Sequence, residues 1–85
     1  MARYFFHLRD GSDVALDPDG RQFDDLETLR DAVLMNARDC LAGDIRSGIL
    51  DLRFRIDAED EGGKVVYSLP FKHAFSLIPD SVPTH

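Results

Sequence analysis

The residues best able to do chemistry in this chain are arginines set at alternate positions beside aromatic rings. Arg3-Tyr4-Phe5-Phe6-His7-Leu8-Arg9 alternates two sets of side chains, and Leu50 to Glu59 does so over a longer run. Successive side chains of a strand point to opposite faces. One face of the first segment therefore carries Arg3, Phe5, His7 and Arg9. The charged face of the second carries Arg53 and Arg55 between Asp51 and Asp57. Guanidinium forks match carboxylates and phosphates, and Phe5 offers a ring for stacking. Arg3, Phe5, His7, Arg9, Arg53 and Arg55 are thus the candidates for binding an anion, an acidic partner or single-stranded nucleic acid. The plainer reading is cross-strand Arg–Asp pairing on a solvated sheet, worth little per pair. It weighs more, because the chain carries a net charge of −6 and phosphate binding is driven by excess Lys and Arg. A third reading is that Phe5, His7 and Val66 make this face too apolar for bare solvent, so that it meets a second copy of the chain.

Other chemistries find no constellation. His7, His73 and His85 stand far apart with no Cys or His at ligand spacing, so neither a metal nor a cofactor is expected. Asp17-Pro18-Asp19-Gly20 resembles the start of a calcium loop. The match fails at Arg21, Gln22 and Thr28, where the loop needs an acid or Asn, a Gly and a bidentate Glu. Ser12, Ser47, Ser68 and Ser76 lack a glycine-framed or histidine-paired setting, and no glycine loop could cradle a phosphate. The lone Cys40 permits no internal disulfide and lies on an apolar helix stripe, which suits a structural thiol. An enzyme is not expected. Neither a signal-peptide pattern nor a membrane-length apolar run is present, so the reading is a cytoplasmic protein with no membrane partner.

The elements that must position these residues follow from periodicity. Arg3 to Arg9 reads as a strand, Asp10 to Asp13 as a turn and Val14 to Asp17 as a short second strand in a hairpin. Asp17 to Gly20 is a tight turn, and Arg21 to Phe23 one more short extended piece. Leu26, Leu29, Val33, Ala37, Cys40 and Leu41 then recur at helical steps, widened by Leu34 and Ile45. Asp25, or Asp24 one residue earlier, caps this helix. It runs to about Ser47 with Gly48 at C′ and a weak point at Gly43. Leu50 to Glu59 is a strand with Leu50, Leu52, Phe54, Ile56 and Ala58 inward. Lys64 to Leu69 returns with Val65, Tyr67 and Leu69 inward and Val66 and Ser68 outward, closed by Pro70. Phe71, Ala74, Phe75 and Ile78 fit a short helix. Phe75, Leu77 and Pro79 equally fit an edge strand.

The expected architecture is α+β. A small antiparallel sheet in ββ-α-ββ order lies under one long helix, in a single domain over residues 1–79 with a loose tail over 80–85.

Two resemblances attach to these residues. Arg3 to Gly11, RYFFHLRDG, is similar to the opening of a family of small alphaproteobacterial, rhizobia-like proteins known only as a domain of unknown function. The likeness continues through Asp24-Asp25-Leu26-Glu27, Leu52 to Asp57 and Leu69-Pro70-Phe71. It implies a bacterial stand-alone domain and supplies no functional residues. A shorter likeness, in the hairpin-then-helix order and Asp25 to Leu29, is to small antitoxins of the HicB type. The expected function is a non-enzymatic interaction or regulatory module acting on a protein partner through the open sheet face, as a homodimer. Anion or nucleic-acid binding by the arginines of that face is the alternative.

Overall fold

The computed structural model describes residues 2–80. Its elements are β1 (Ala2–Arg9), β2 (Asp13–Ala15), β3 (Arg21–Phe23), α1 (Leu26–Ser47), β4 (Arg55–Glu59) and β5 (Val65–Pro70), followed by one 3-10 turn at Phe71–His73. The strands form one antiparallel sheet in the order β2-β1-β4-β5, with β3 also paired to β1. The α+β reading with one long helix holds, and the sheet carries an extra strand because Arg21–Phe23 pairs in full with Ala2–Tyr4.

The helix forms where its pattern and caps require. The Asp25 side chain accepts from the Thr28 amide at 2.7 Å, satisfying one of the free N–H groups of the first turn. Gly48 ends the helix at φ +88°, its amide bonded to carbonyls of Asp44 and Ile45, in a left-handed cap that favours glycine. Leu29, Val33, Ala37 and Leu41 are buried at four-residue steps. They pack on Phe23, Ile56, Ala58, Leu69, Phe71 and Ala74, with Tyr4, Phe6 and Leu8 half-buried beside them. The stripe is wider than what is covered: Leu26 and Ile45 at its two ends are exposed.

Three expectations need correction. The strand expected over Leu50 to Glu59 begins only at Arg55. Arg55 pairs with Arg9, the last residue of β1, and with Pro70, the last of β5, so earlier residues have no ladder to join. Residues 49–54 instead follow Asp51, whose amide donates to the Asp44 carboxylate and whose own carboxylate takes the Arg53 amide at 3.0 Å. In β5 the register shifts after Ala58, which faces Tyr67, while Glu59 faces Val65. The extra residue of this bulge turns Val65 outward and lets Val66 pack on the core, the reverse of strict alternation. Beyond Pro70 neither the helix nor the strand forms. One 3-10 turn buries Phe71 and Ala74, and Leu77 and Ile78 remain exposed. Pro79 disfavours helical geometry at Ile78, and the Ala74 carbonyl is taken by Arg38 Nε at 2.8 Å. Of the loose tail expected over 80–85, all beyond Asp80 lies outside the described residues.

β2 and β3 are two pieces of one return path along β1. Ala15 faces Leu8 and Arg21 faces Tyr4, which leaves Phe5 to His7 opposite the loop Leu16–Gly20. Gly20, at φ +70°, lets this loop lie against β1. A Cβ there would stand 2.7 Å from the Tyr4 carbonyl oxygen and 2.9 Å from the Phe5 ring.

Two glycines give opposite expectations. Gly20→Ala lowers stability by roughly 2 kcal/mol or more, because strain at positive φ adds to a clash with backbone. Gly43→Ala, inside α1 with nothing within 4 Å of the added carbon, raises it by about 1 kcal/mol. Urea unfolding of the two variants checks this; equal effects would contradict the packing described at Gly20.

Candidate functional site

The face of the sheet away from α1 is built by β1, β4 and the loop joining β2 to β3. Pairing sets Phe5 opposite Glu59, His7 opposite Asp57 and Arg9 opposite Arg55. Like charges directly across a ladder repel, so the two arginines need an anion between them. Asp57 supplies it, two residues along from Arg55. Arg9 Nη1 donates to Asp57 Oδ2 at 3.0 Å, and Arg55 Nε lies 3.1 and 3.2 Å from the two Asp57 oxygens. Ser68 Oγ of β5 donates to Oδ1 at 2.6 Å. Arg9 also donates to Asp13 at 2.6 Å and to the Glu59 carboxylate. Asp57 is thereby only 4% exposed on a face that no element among the described residues covers.

The charges are locked rather than poised. Burial pushes the Asp57 carboxyl up, but hydrogen bonds from Ser68, Arg9 and Arg55 outweigh it and hold the group below the usual carboxylate range. Arg9 is held further up, by Asp13 first and then by Glu59 and Asp57. Its two-arginine cluster (Arg9, Arg55) meets three carboxylates, Asp13, Asp57 and Glu59, so the face has no surplus of positive charge.

A second network joins the loop to β1. The Asp17 carboxylate accepts the Phe6 amide at 3.2 Å, in the gap where neither β2 nor β3 reaches, and the amides of Asp19 and Gly20 at 3.2 and 3.1 Å. Burial pushes this carboxyl up, yet the amides of Gly20, Phe6 and Asp19 together hold it down. The Asp17 amide donates to His7 Nδ1 at 3.0 Å. That leaves Nε2 of a neutral ring to carry its proton toward Glu59 Oε1, 3.6 Å away. The Phe5 and His7 rings stack at 6.3 Å, with Phe5 over Gly20.

Of the six residues picked from sequence, the structure brings together Phe5, His7, Arg9 and Arg55. Arg3 reaches the same loop, donating to the Asp19 carbonyl at 2.7 Å. Arg53 is not part of the face. It lies before β4, its side chain 79% exposed, closed on Asp51 at 2.8 Å. Sequence reasoning missed Asp13, Asp17 and Glu59 as members of the site. Glu59 was legible as the last outward position of the alternation. Asp17 reads correctly as a turn residue, whereas Asp13, expected to end the turn, is the first residue of β2 and pairs with Arg9; nothing local announced their long-range partners. Cys40, half-buried, has its thiol pushed up by burial and by Asp44 and Asp39, away from the reactive thiolate. Among the described residues no group of His, Cys, Asp or Glu is arranged to hold a metal ion.

A family model described as a domain of unknown function (DUF6894) matches residues 3–72. No curated protein and no solved structure matches the chain.

The depressed Asp57 pKa fixes a pH dependence. A carboxyl held down in the fold adds stability above its unfolded value of about 3.9, and that contribution is lost as pH falls through and below this value. Asp57→Asn is therefore less stable than the parent at pH 7, by about 1–2 kcal/mol, and the gap closes toward pH 3. Urea midpoints at both pH values test this. A gap of the same size at pH 3 would show that the charge of Asp57 is not what the face uses.

Proposed function

The chain belongs to the family described as a domain of unknown function (DUF6894), and we propose that it is a non-enzymatic interaction or regulatory module, working as a homodimer and binding a protein partner through the open sheet face. The observation that carries this is the face itself. Phe5, His7, Arg9, Asp57 and Glu59 are interlocked across β1 and β4 and already half-buried or buried without a partner. A platform whose long side chains are fixed in advance loses little side-chain freedom on binding. Its ring and arginine content is that of interface centres. The same networks argue against catalysis: Asp17 and Asp57 are held as anions by hydrogen bonds, the opposite of a carboxyl tuned toward neutral pH for proton transfer.

Anion or nucleic-acid binding by Arg3, Arg9, Arg53 and Arg55 has less support. Arg9 and Arg55 are matched by carboxylates, Arg53 is paired with Asp51, and Arg3 is bound to backbone. A bacterial, alphaproteobacterial, cytoplasmic setting goes with this reading: RYFFHLRDG is the family-like opening, and the lone Cys40 is half-buried and held as a thiol.

The test is photo-crosslinking in cells. A photoreactive residue at position 65 or 68, on the sheet face, yields a discrete adduct with another protein. The same residue at position 31 or 35, on the outer face of α1, does not. Adducts of equal pattern from both faces would remove the sheet face as the binding surface. Titration with single-stranded DNA at low salt returns no binding; an affinity falling steeply with added salt would favour the arginine reading instead.

A further inference from the structure

The apolar stripe of α1 continues past the sheet that covers it. Beyond Leu41 it reaches Ile45, where no strand lies beneath, and the chain returns to that end twice. The segment after Gly48 brings Leu50, and the segment after the 3-10 turn brings Phe75 and Leu77. With Leu41 and Ile45 they line an open groove of about 410 Å³. Ile49 and Ile78 adjoin it along the chain. Ile45, Ile49, Leu77 and Ile78 are 67%, 73%, 82% and 85% exposed.

We propose that this apolar end is the surface on which two copies of the chain associate about a twofold axis. It rests on the interaction-module reading only in naming the surface for the homodimer.

Three observations select a second copy. The first is area. With Leu50, at 39% exposure, these residues present on the order of 600 Å² of mostly apolar surface, against the ~800 Å² per partner of a standard interface. That is more than single exposed aliphatics on a monomer account for. The second is shape. The patch holds both a groove and, beside it, protruding aliphatic side chains, which a twofold contact of one surface with itself requires. The third is charge. Arg38, on the groove wall, is tied to the Ala74 carbonyl at 2.8 Å. Asp44 accepts the Asp51 amide and Asp51 holds Arg53. These groups are thus engaged within the chain.

The experiment is sedimentation equilibrium from low to high micromolar concentration on the full chain. The parent sediments at twice 9.6 kDa. The double variant Ile45→Glu/Leu77→Glu, and separately Ile78→Glu, weaken dimerisation at least 100-fold, because each places an unpaired charge in the contact. Circular dichroism stays unchanged, since these positions are exposed in one copy. A parent that is monomeric throughout would overturn the proposal. So would a double variant that dimerises like the parent, or loss of the dimer in Val65→Glu alone, which would move the contact to the sheet face. Dimerisation seen only after residues 81–85 are removed would overturn it too, by assigning the patch to that segment. Photo-adducts from position 65 that persist in a monomeric double variant leave the sheet-face reading standing whatever the outcome here.

Discussion

The sheet depends on one buried carboxylate. Asp57 sits at the middle of β4, the strand between β1 and β5, and receives Arg9 from one neighbour and Ser68 from the other. Burying a carboxylate on its own costs several kcal/mol. Here the cost is met by four hydrogen-bonding contacts reaching both oxygens, which leaves no buried polar side-chain atom unpartnered among the described residues. The arrangement does more than satisfy Asp57. It separates Arg9 from Arg55, which the register sets face to face. A one-residue slip of β4 would put Ile56 or Ala58 among the arginines and Asp57 against α1. Register is therefore specified twice, by apolar contacts on one face and by this ion network on the other.

Asp17 does for the edge what Asp57 does for the centre. β2 and β3 are three residues each, too short to hold β1 alone, and between them a loop leaves the Phe6 amide without a strand partner. The Asp17 carboxylate takes that amide and folds the loop on itself through Asp19 and Gly20. His7 fastens the same loop from the other side. The long edge of β1 is thus closed by short strands and a side-chain plug, which removes the continuous row of free backbone groups that invites edge pairing. At the opposite edge Pro70 ends β5. By strand alternation its missing amide lies away from β4, since the next amide, that of Phe71, bonds the Phe54 carbonyl at 3.0 Å.

Much of this was legible in the residues. Helix α1 declared itself through its stripe, Asp25 and Gly48, because those signals act within one turn of the chain. β1 and β4, the Arg55–Glu59 half of the expected strand, were legible for the same reason. What failed was long-range. Leu50 to Phe54 alternates as cleanly as the rest of its run, and alternation states only which way side chains would point if a partner strand existed. Arg9 and Pro70 end the partners, so the pattern goes unused. The bulge at Val66 and the breakdown of the helical spacing from Phe71 to Ile78 likewise depend on neighbours that no local window contains. The site was half legible. Phe5, His7, Arg9 and Arg55 were placed on one face correctly, but the carboxylates that hold the face together come from three separate stretches: Asp13 and Asp57 to Glu59 pair with the arginines, and Asp17 takes the loop and β1 amides.

The mismatch of lengths between the two layers explains the rest of the molecule. A helix of 22 residues is about 33 Å long, whereas β4, with five, is about 17 Å. A strand that short cannot cover the helix along its whole stripe, however the two are crossed. The stripe does not turn polar after Leu41: Ile45 continues it, and both returning segments bring aliphatic residues, Ile49 and Leu50 on one side and Leu77 and Ile78 on the other. Polar residues at those positions would cost the monomer little, since four of these five are more than half exposed and Leu50 is 39% exposed. Five exposed aliphatics thus gather where the two returning segments meet the end of α1, and in the proposed dimer a second copy covers them.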